Sequence, residues 1–129
     1  MIIGPSQLNH LVQFHGLVSP LEDEIKLNTI DLSLGRVWEH NGGARLISNN
    51  DRYIGDRNEL ELNDNGLWLL RPFAKYLACS IEEVAMPSYM AALCLTRSTP
   101  FRAGIIVTSG FIDPAYTGKV HFCFTTPGP

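Results

Sequence analysis

Pro72, Pro87, Pro100 and Pro114 divide the second half of the chain into runs too short for long helices. Proline has no amide hydrogen to give a ladder and restricts the residue before it, so each one marks a strand end or a turn. The runs between them, LWLLRPF, KYLACSI, AALCLTR, GIIVTSG and KVHFCFT, are rich in strand formers. Short strands broken at this frequency fold as a β-sandwich or barrel.

The start of the chain reads differently. Pro5 suits a first helical position, Leu8, Leu11 and Val12 make an apolar stripe, and Gly16 supplies a stop, so residues 5–15 should form one short amphipathic helix. After Pro20 the segment LEDEIKLNTIDLSLGRVWEH alternates in character and carries β-branched residues, which predicts strand. Asn41-Gly42 and Asn65-Gly66 are strong hairpin signals, and each should join two antiparallel strands. The polar stretch NNDRYIGDRNE between them should be an exposed loop.

With 129 residues the chain suits a single domain over residues 1–129, large enough to bury a core. A formal net charge of -3, with the cations scattered, offers no broad surface for a nucleic-acid backbone. A triphosphate remains an acceptable ligand, because it needs only a local nest of amides and a few cations. The three cysteines, Cys79, Cys94 and Cys123, sit in apolar runs without framework spacing, which suggests reduced thiols and a cytoplasmic location. No run is long enough to cross a membrane, and MIIGPSQLNH lacks the layout of a signal peptide, so a soluble, unprocessed protein is expected.

Two segments could carry chemistry. Arg97-Ser98-Thr99-Pro100-Phe101-Arg102 places two guanidinium groups and two hydroxyls at a strand end that must turn, an arrangement able to meet phosphate oxygens. Taken alone, it reads more simply as a surface turn with solvated arginines. Asp113, in Gly110-Phe111-Ile112-Asp113-Pro114-Ala115-Tyr116-Thr117-Gly118, could orient a water or bond a sugar hydroxyl, and Tyr116 could stack on a ring. Alone, Asp-Pro-Ala-Tyr is simply a good β-turn.

In combination, the order LNTIDLSLG, then Thr96 to Arg102, then Gly110 to Gly118 resembles the dCTP deaminase and dUTPase superfamily, with a likeness that covers nearly the whole chain. The resemblance implies a mainly β fold, a distorted jelly-roll barrel with a short N-terminal helix. It also implies a homotrimer whose sites for a pyrimidine deoxyribonucleoside triphosphate lie at subunit boundaries. Carried over by position, Arg97 and Ser98 would meet the phosphates, Asp113 and Tyr116 would line the deoxyribose and base pocket, and Arg102 would stand near the reacting centre. Thr99, Ile112 and Gly118 would be further substrate-binding residues. Asp31 belongs to a motif whose role in the superfamily is largely structural.

The resemblance also bears on the reaction. The water-activating glutamate of the deaminases would lie ten residues after Asp113, where this chain has Cys123. A cysteine in an apolar strand does not replace a carboxylate that must shuttle protons. His121, two residues back on the same strand face, is the nearby alternative base, although a lone strand histidine is more often structural. In the dUTPases the aspartate of the turn positions a water against the α-phosphate while Mg²⁺ binds the triphosphate, and Asp113 is present for this role. Diphosphatase chemistry on dUTP or dCTP is therefore expected over deamination, with Asp113 and Arg102 as the catalytic pair and Mg²⁺ arriving on the triphosphate. The sequence stops before a counterpart of the superfamily's later strand and glycine-rich arm, so the alternative is a catalytically inactive nucleotide-binding protein on the same fold. Protein ligands for a metal are not expected, since neither His-x-Glu nor Cys-x-x-Cys occurs.

Overall fold

The computed structural model describes residues 2–20, 25, 28–43, 45–108 and 110–128. It is mainly β. One helix, α1 (Pro5–His15), opens the chain, starting on Pro5 and ending where Gly16 turns left-handed at φ 60°. Strands β1 (Val18–Ser19), β2 (Leu34–His40), β3 (Arg45–Ser48), β4 (Asp51–Tyr53), β5 (Arg57–Glu59), β6 (Lys75–Ala85) and β7 (Ala92–Cys94) follow. A single-turn helix α2 (Ser98–Arg102) precedes β8 (Ile106–Thr108), β9 (Gly110–Ile112) and β10 (Thr117–Thr125). The main sheet runs β5-β2-β6-β10-β8, with β1 pairing the far half of β6; β3–β4 and β7–β9 form separate two-stranded ribbons. No described helix is long and apolar enough to cross a membrane.

Strand β6 is the spine of the molecule. Its even positions Tyr76, Ala78, Ser80, Glu82 and Val84, and Met86 just beyond, are all buried, as the two-residue period of a strand requires. The stripe serves two apolar clusters. Tyr76 and Ala78 pack with Val37 and Phe124, whereas Val84 and Met86 pack with Val120, Leu17, Val18 and the Leu8, Leu11, Val12 face of α1. Between them lie two polar residues. The pairing of β6 with β10 slips here, advancing four residues on β6 (Cys79 to Glu83) against two on β10 (His121 to Lys119). Ser80 fills the slip, accepting the Val120 N–H at 2.9 Å and donating to the Glu82 carbonyl at 2.7 Å. Glu82, 2% exposed, takes the Ser33 N–H on both carboxylate oxygens at 3.0 and 2.9 Å. Gly35 is required opposite, because a Cβ there would stand 2.8 Å from the Ser80 carbonyl oxygen.

Several expectations need correction. Neither Asn-Gly pair joins two strands of a ladder. After Asn41-Gly42 the chain leaves the sheet into the β3–β4 ribbon and returns at β5 to pair with β2, held by Asn41 N–H to the Asp56 carbonyl at 2.9 Å. Around Asn65-Gly66 there is a turn organised by Asn63, whose side chain accepts the N–H groups of Asn65 and Leu67 at 3.0 Å, but no strand flanks it. LWLLRPF is irregular as well. The stretch expected as an exposed loop is exposed, yet holds β4 and β5. Part of the strand expected after Pro20 (21–24, 26 and 27) lies outside the described residues, and the regular strand begins at Leu34. All three cysteines are free; Cys79 is buried and Cys123 is exposed.

Candidate functional site

The β7–β9 ribbon carries both candidate segments. Its register pairs Ala92 with Ile112, Leu93 with Phe111 and Cys94 with Gly110. Because the ribbon is antiparallel, the Arg97–Arg102 segment leaves it at one end and the Asp113–Tyr116 segment at the other. At ~3.3 Å per residue the two lie up to about 20 Å apart along the ribbon. Within one chain they line different pockets, with Ile112 common to both.

The Asp113 segment is the β-turn its residues favour. Tyr116 N–H closes it on the Asp113 carbonyl at 3.2 Å, and Met86 N–H bonds the Tyr116 carbonyl at 2.8 Å, fixing the turn to the end of β6. Ala115 takes φ 62°, a left-handed conformation that costs a residue with a Cβ. The Tyr116 hydroxyl donates to the Lys119 carbonyl at 2.5 Å, which folds the ring over Gly118. A Cβ at Gly118 would meet that hydroxyl at 3.3 Å, and its φ of 139° also favours glycine, so Gly118 acts here by letting the tyrosine lie close. The same carbonyl lies 3.1 Å from His121 Nδ1. A carbonyl only accepts, so Nδ1 carries the hydrogen and, in the neutral ring, Nε2 is left as an acceptor. Asp113, Tyr116 and His121 line one surface pocket of about 300 Å³ with Phe111, Ile112 and Val120. Sequence reasoning had set His121 aside; the structure lines the pocket of Asp113 with it.

The arginine segment is not the open turn expected. Proline is tolerated in the first turn of a helix, and Ser98–Arg102 closes as one turn with Arg97 at its N-cap, Phe101 N–H bonding the Arg97 carbonyl at 3.2 Å and Ala103 N–H the Thr99 carbonyl at 3.0 Å. Ser98, Thr99 and Arg102 are exposed. Arg97 reaches Asp31, its Nη1 standing 3.3 Å from Oδ2. The pair sits at a second pocket, about 260 Å³, whose walls include Leu32, Cys94, Val107, Ile112 and Phe122. Burial pushes the Cys94 thiol up from its ordinary value, which keeps it protonated at neutral pH. Ile112 touches both pockets and is the link between them. Cys123 faces outward on β10 opposite Thr108 and Leu77, lining neither pocket.

The chain as a whole resembles known proteins in sequence and in fold. The sequence model of the dCTP deaminase-like family matches residues 2–126. The chain belongs to that family. A probable deoxyuridine 5'-triphosphate nucleotidohydrolase of Methanopyrus kandleri is 32% identical over 100 residues, covering 78% of this chain and 64% of the relative. A dCTP deaminase, dUMP-forming, of Dictyoglomus turgidum is 29% identical over 129 residues, covering 93% of this chain and 66% of the relative. The chain thus spans about two thirds of these relatives' length. Among solved structures, the 2'-deoxycytidine 5'-triphosphate deaminase of Agrobacterium tumefaciens superposes with a TM-score of 0.65 at 18% identity, over 98% of this chain and 42% of the other, a likeness of fold. The names of these relatives give two activities on deoxyribonucleoside triphosphates, a nucleotidohydrolase and a dUMP-forming deaminase.

Proposed function

We propose that the chain binds a pyrimidine deoxyribonucleoside triphosphate, dUTP or dCTP, and cleaves it to the monophosphate and pyrophosphate. The observation that carries this reading is the pocket in which Asp113 and Tyr116, on the turn that the family resemblance marks, are joined by His121 of β10. Asp113 is the proton acceptor for an attacking water. Tyr116, with its hydroxyl already bonded to Lys119, offers its ring to the sugar. Arg97, Ser98, Thr99 and Arg102 supply the phosphate contacts, Arg102 closest to the reacting centre. Mg²⁺ belongs to the substrate, chelated by the triphosphate oxygens. Among the described residues no group of three or more His, Cys, Asp or Glu side chains gathers to hold an ion by itself.

The phosphate segment of one copy is proposed to face the Asp113 pocket of the next, in a homotrimer. Two features support this: the segments leave the ribbon at opposite ends, and its paired Leu93 and Phe111 are 59% and 69% exposed. Apolar surface of this kind marks an interface. Deamination is disfavoured because Cys123, at the position of the family's glutamate, has no carboxylate. That same feature favours a second reading, a binding protein without turnover, since ground-state contacts can persist where transition-state groups are lost.

One experiment separates the readings. Calorimetric titration with a panel of deoxy- and ribonucleotides is followed by chromatography of the ligand after long incubation with Mg²⁺. Monophosphate and pyrophosphate support the enzyme, and intact bound ligand supports the binding protein. Ammonia released from dCTP would refute the chemistry proposed here. Asp113→Asn should lower turnover by about 10²-fold or more while leaving binding largely intact.

A further inference from the structure

We propose that Asp31 is a positioning residue for Arg97, orienting its guanidinium at the pocket rim so that a triphosphate meets a pre-set group of donors. The inference rests on the reading above, that Arg97 contacts phosphate. The two partners are unequal: the Asp31 side chain is 16% exposed and the Arg97 side chain 62%. Asp31 is therefore the fixed member. Two residues on, Ser33 is tied by its N–H to the buried Glu82 carboxylate and by its carbonyl to the Ile81 N–H at 2.9 Å. Strand β2 starts at the next residue. The carboxylate is thus built into the frame of the sheet.

Arg97, by contrast, is held at its backbone by one turn of helix and would otherwise swing freely through its rotamers. Binding a phosphate with a mobile arginine requires freezing that motion at the moment of binding. The contact to Asp31 engages Nη1, and a guanidinium has five N–H donors in a planar fork, so orientation is achieved with donors to spare. The carboxylate also opposes the ligand's negative charge. Preorganisation and repulsion act on affinity with opposite sign, and the partly sheltered, anchored carboxylate makes preorganisation the larger effect.

The test is titration of dUTP and of the nucleoside deoxyuridine into wild type, Asp31→Asn, Arg97→Ala and the double variant, with thermal melts to show folding. Asp31→Asn should weaken dUTP by about three- to tenfold and leave deoxyuridine unchanged. In the Arg97→Ala background it should change neither. A purely structural role would weaken both ligands, or act equally in both backgrounds. Unchanged or tighter dUTP binding in Asp31→Asn would also overturn the inference. Should Asp31→Asn not fold, Asp31→Glu carries the test: displacing the charge by one methylene should lower dUTP affinity a few-fold only when Arg97 is present, and no change would overturn the proposal. Wild type that binds no nucleotide would instead refute the functional reading itself, and this inference with it.

Discussion

The inner face of β2, β6 and β10 and the outer face of the β7–β9 ribbon use the same kinds of residue and meet opposite surroundings. Val37, Tyr76 and Ala78 are fully buried, and Tyr76 stacks on Phe124 with ring centroids 5.1 Å apart. Leu93 and Phe111, directly opposite each other on the ribbon, lie open. The first set is finished within one chain. The second is left open, and it lies between the two segments proposed to contact nucleotide. Stability and the proposed function are thus assigned to different regions, and the two should respond to different substitutions.

The largest expected effect is on the finished face. Tyr76→Ala removes a buried ring and should cost about 3–5 kcal/mol in urea unfolding. Tyr76→Phe isolates the hydroxyl, which accepts the Arg71 N–H at 2.7 Å, and should cost about 1–2 kcal/mol. If Tyr76→Ala were nearly neutral, the contrast between the regions would collapse.

On the ribbon, Leu93→Glu combined with Phe111→Glu should leave the melting temperature of the isolated chain within a few degrees while abolishing self-association in light scattering. A folded, still associated double variant would move the interface elsewhere. A smaller gain is expected at the turn. Ala115→Gly relieves the left-handed backbone and should stabilise by about 0.5–1 kcal/mol net of the freedom glycine gains when unfolded.

The smallest effect concerns Arg36 and Glu59 on the solvent side of the sheet, where Arg36 also lies over the Trp38 ring at 4.7 Å. The hydrogen bond from Arg36 holds the Glu59 carboxyl below its ordinary value of 4.5. A carboxylate with a lowered folded pKa stabilises above its unfolded value, and that contribution is lost as pH falls from about there through the folded value. Both side chains are open to solvent, so the acid limb of a stability profile should differ from that of Glu59→Gln only marginally.

How much of this was legible depended on how local the cause is. The helix at Pro5–His15 was readable because proline, stripe and glycine all lie within one segment. Strands β6 and β10 were readable from composition. The Asn-Gly pairs misled because a turn signal says that the chain reverses without saying which strands then meet, and Asn41 bonds Asp56 across an unforeseen ribbon. That ribbon was missed because all four residues of β3 are exposed and give no alternation. At the candidate site the Asp113 turn was visible in four consecutive residues. His121 was readable as the nearby base on β10 but not as a wall of the Asp113 pocket, and the approach of Asp31 to Arg97 depends on residues far apart in the chain, which leaves no local trace.

The polar pair Ser80 and Glu82, set between the two apolar clusters, bears on how the molecule opens. The fully buried apolar residues on one side of that pair form a cluster separate from those on the other, so the two ends of β6 are expected to open as separate units of local unfolding. The Asp113–Tyr116 turn is bonded to Met86, on the α1 side. Amide hydrogens around α1, Met86 and Tyr116 should therefore exchange together and sooner than those of Val37, Ala78 and Phe124. The pocket would then loosen and re-form on its own clock while the Tyr76 side of the sheet stays closed.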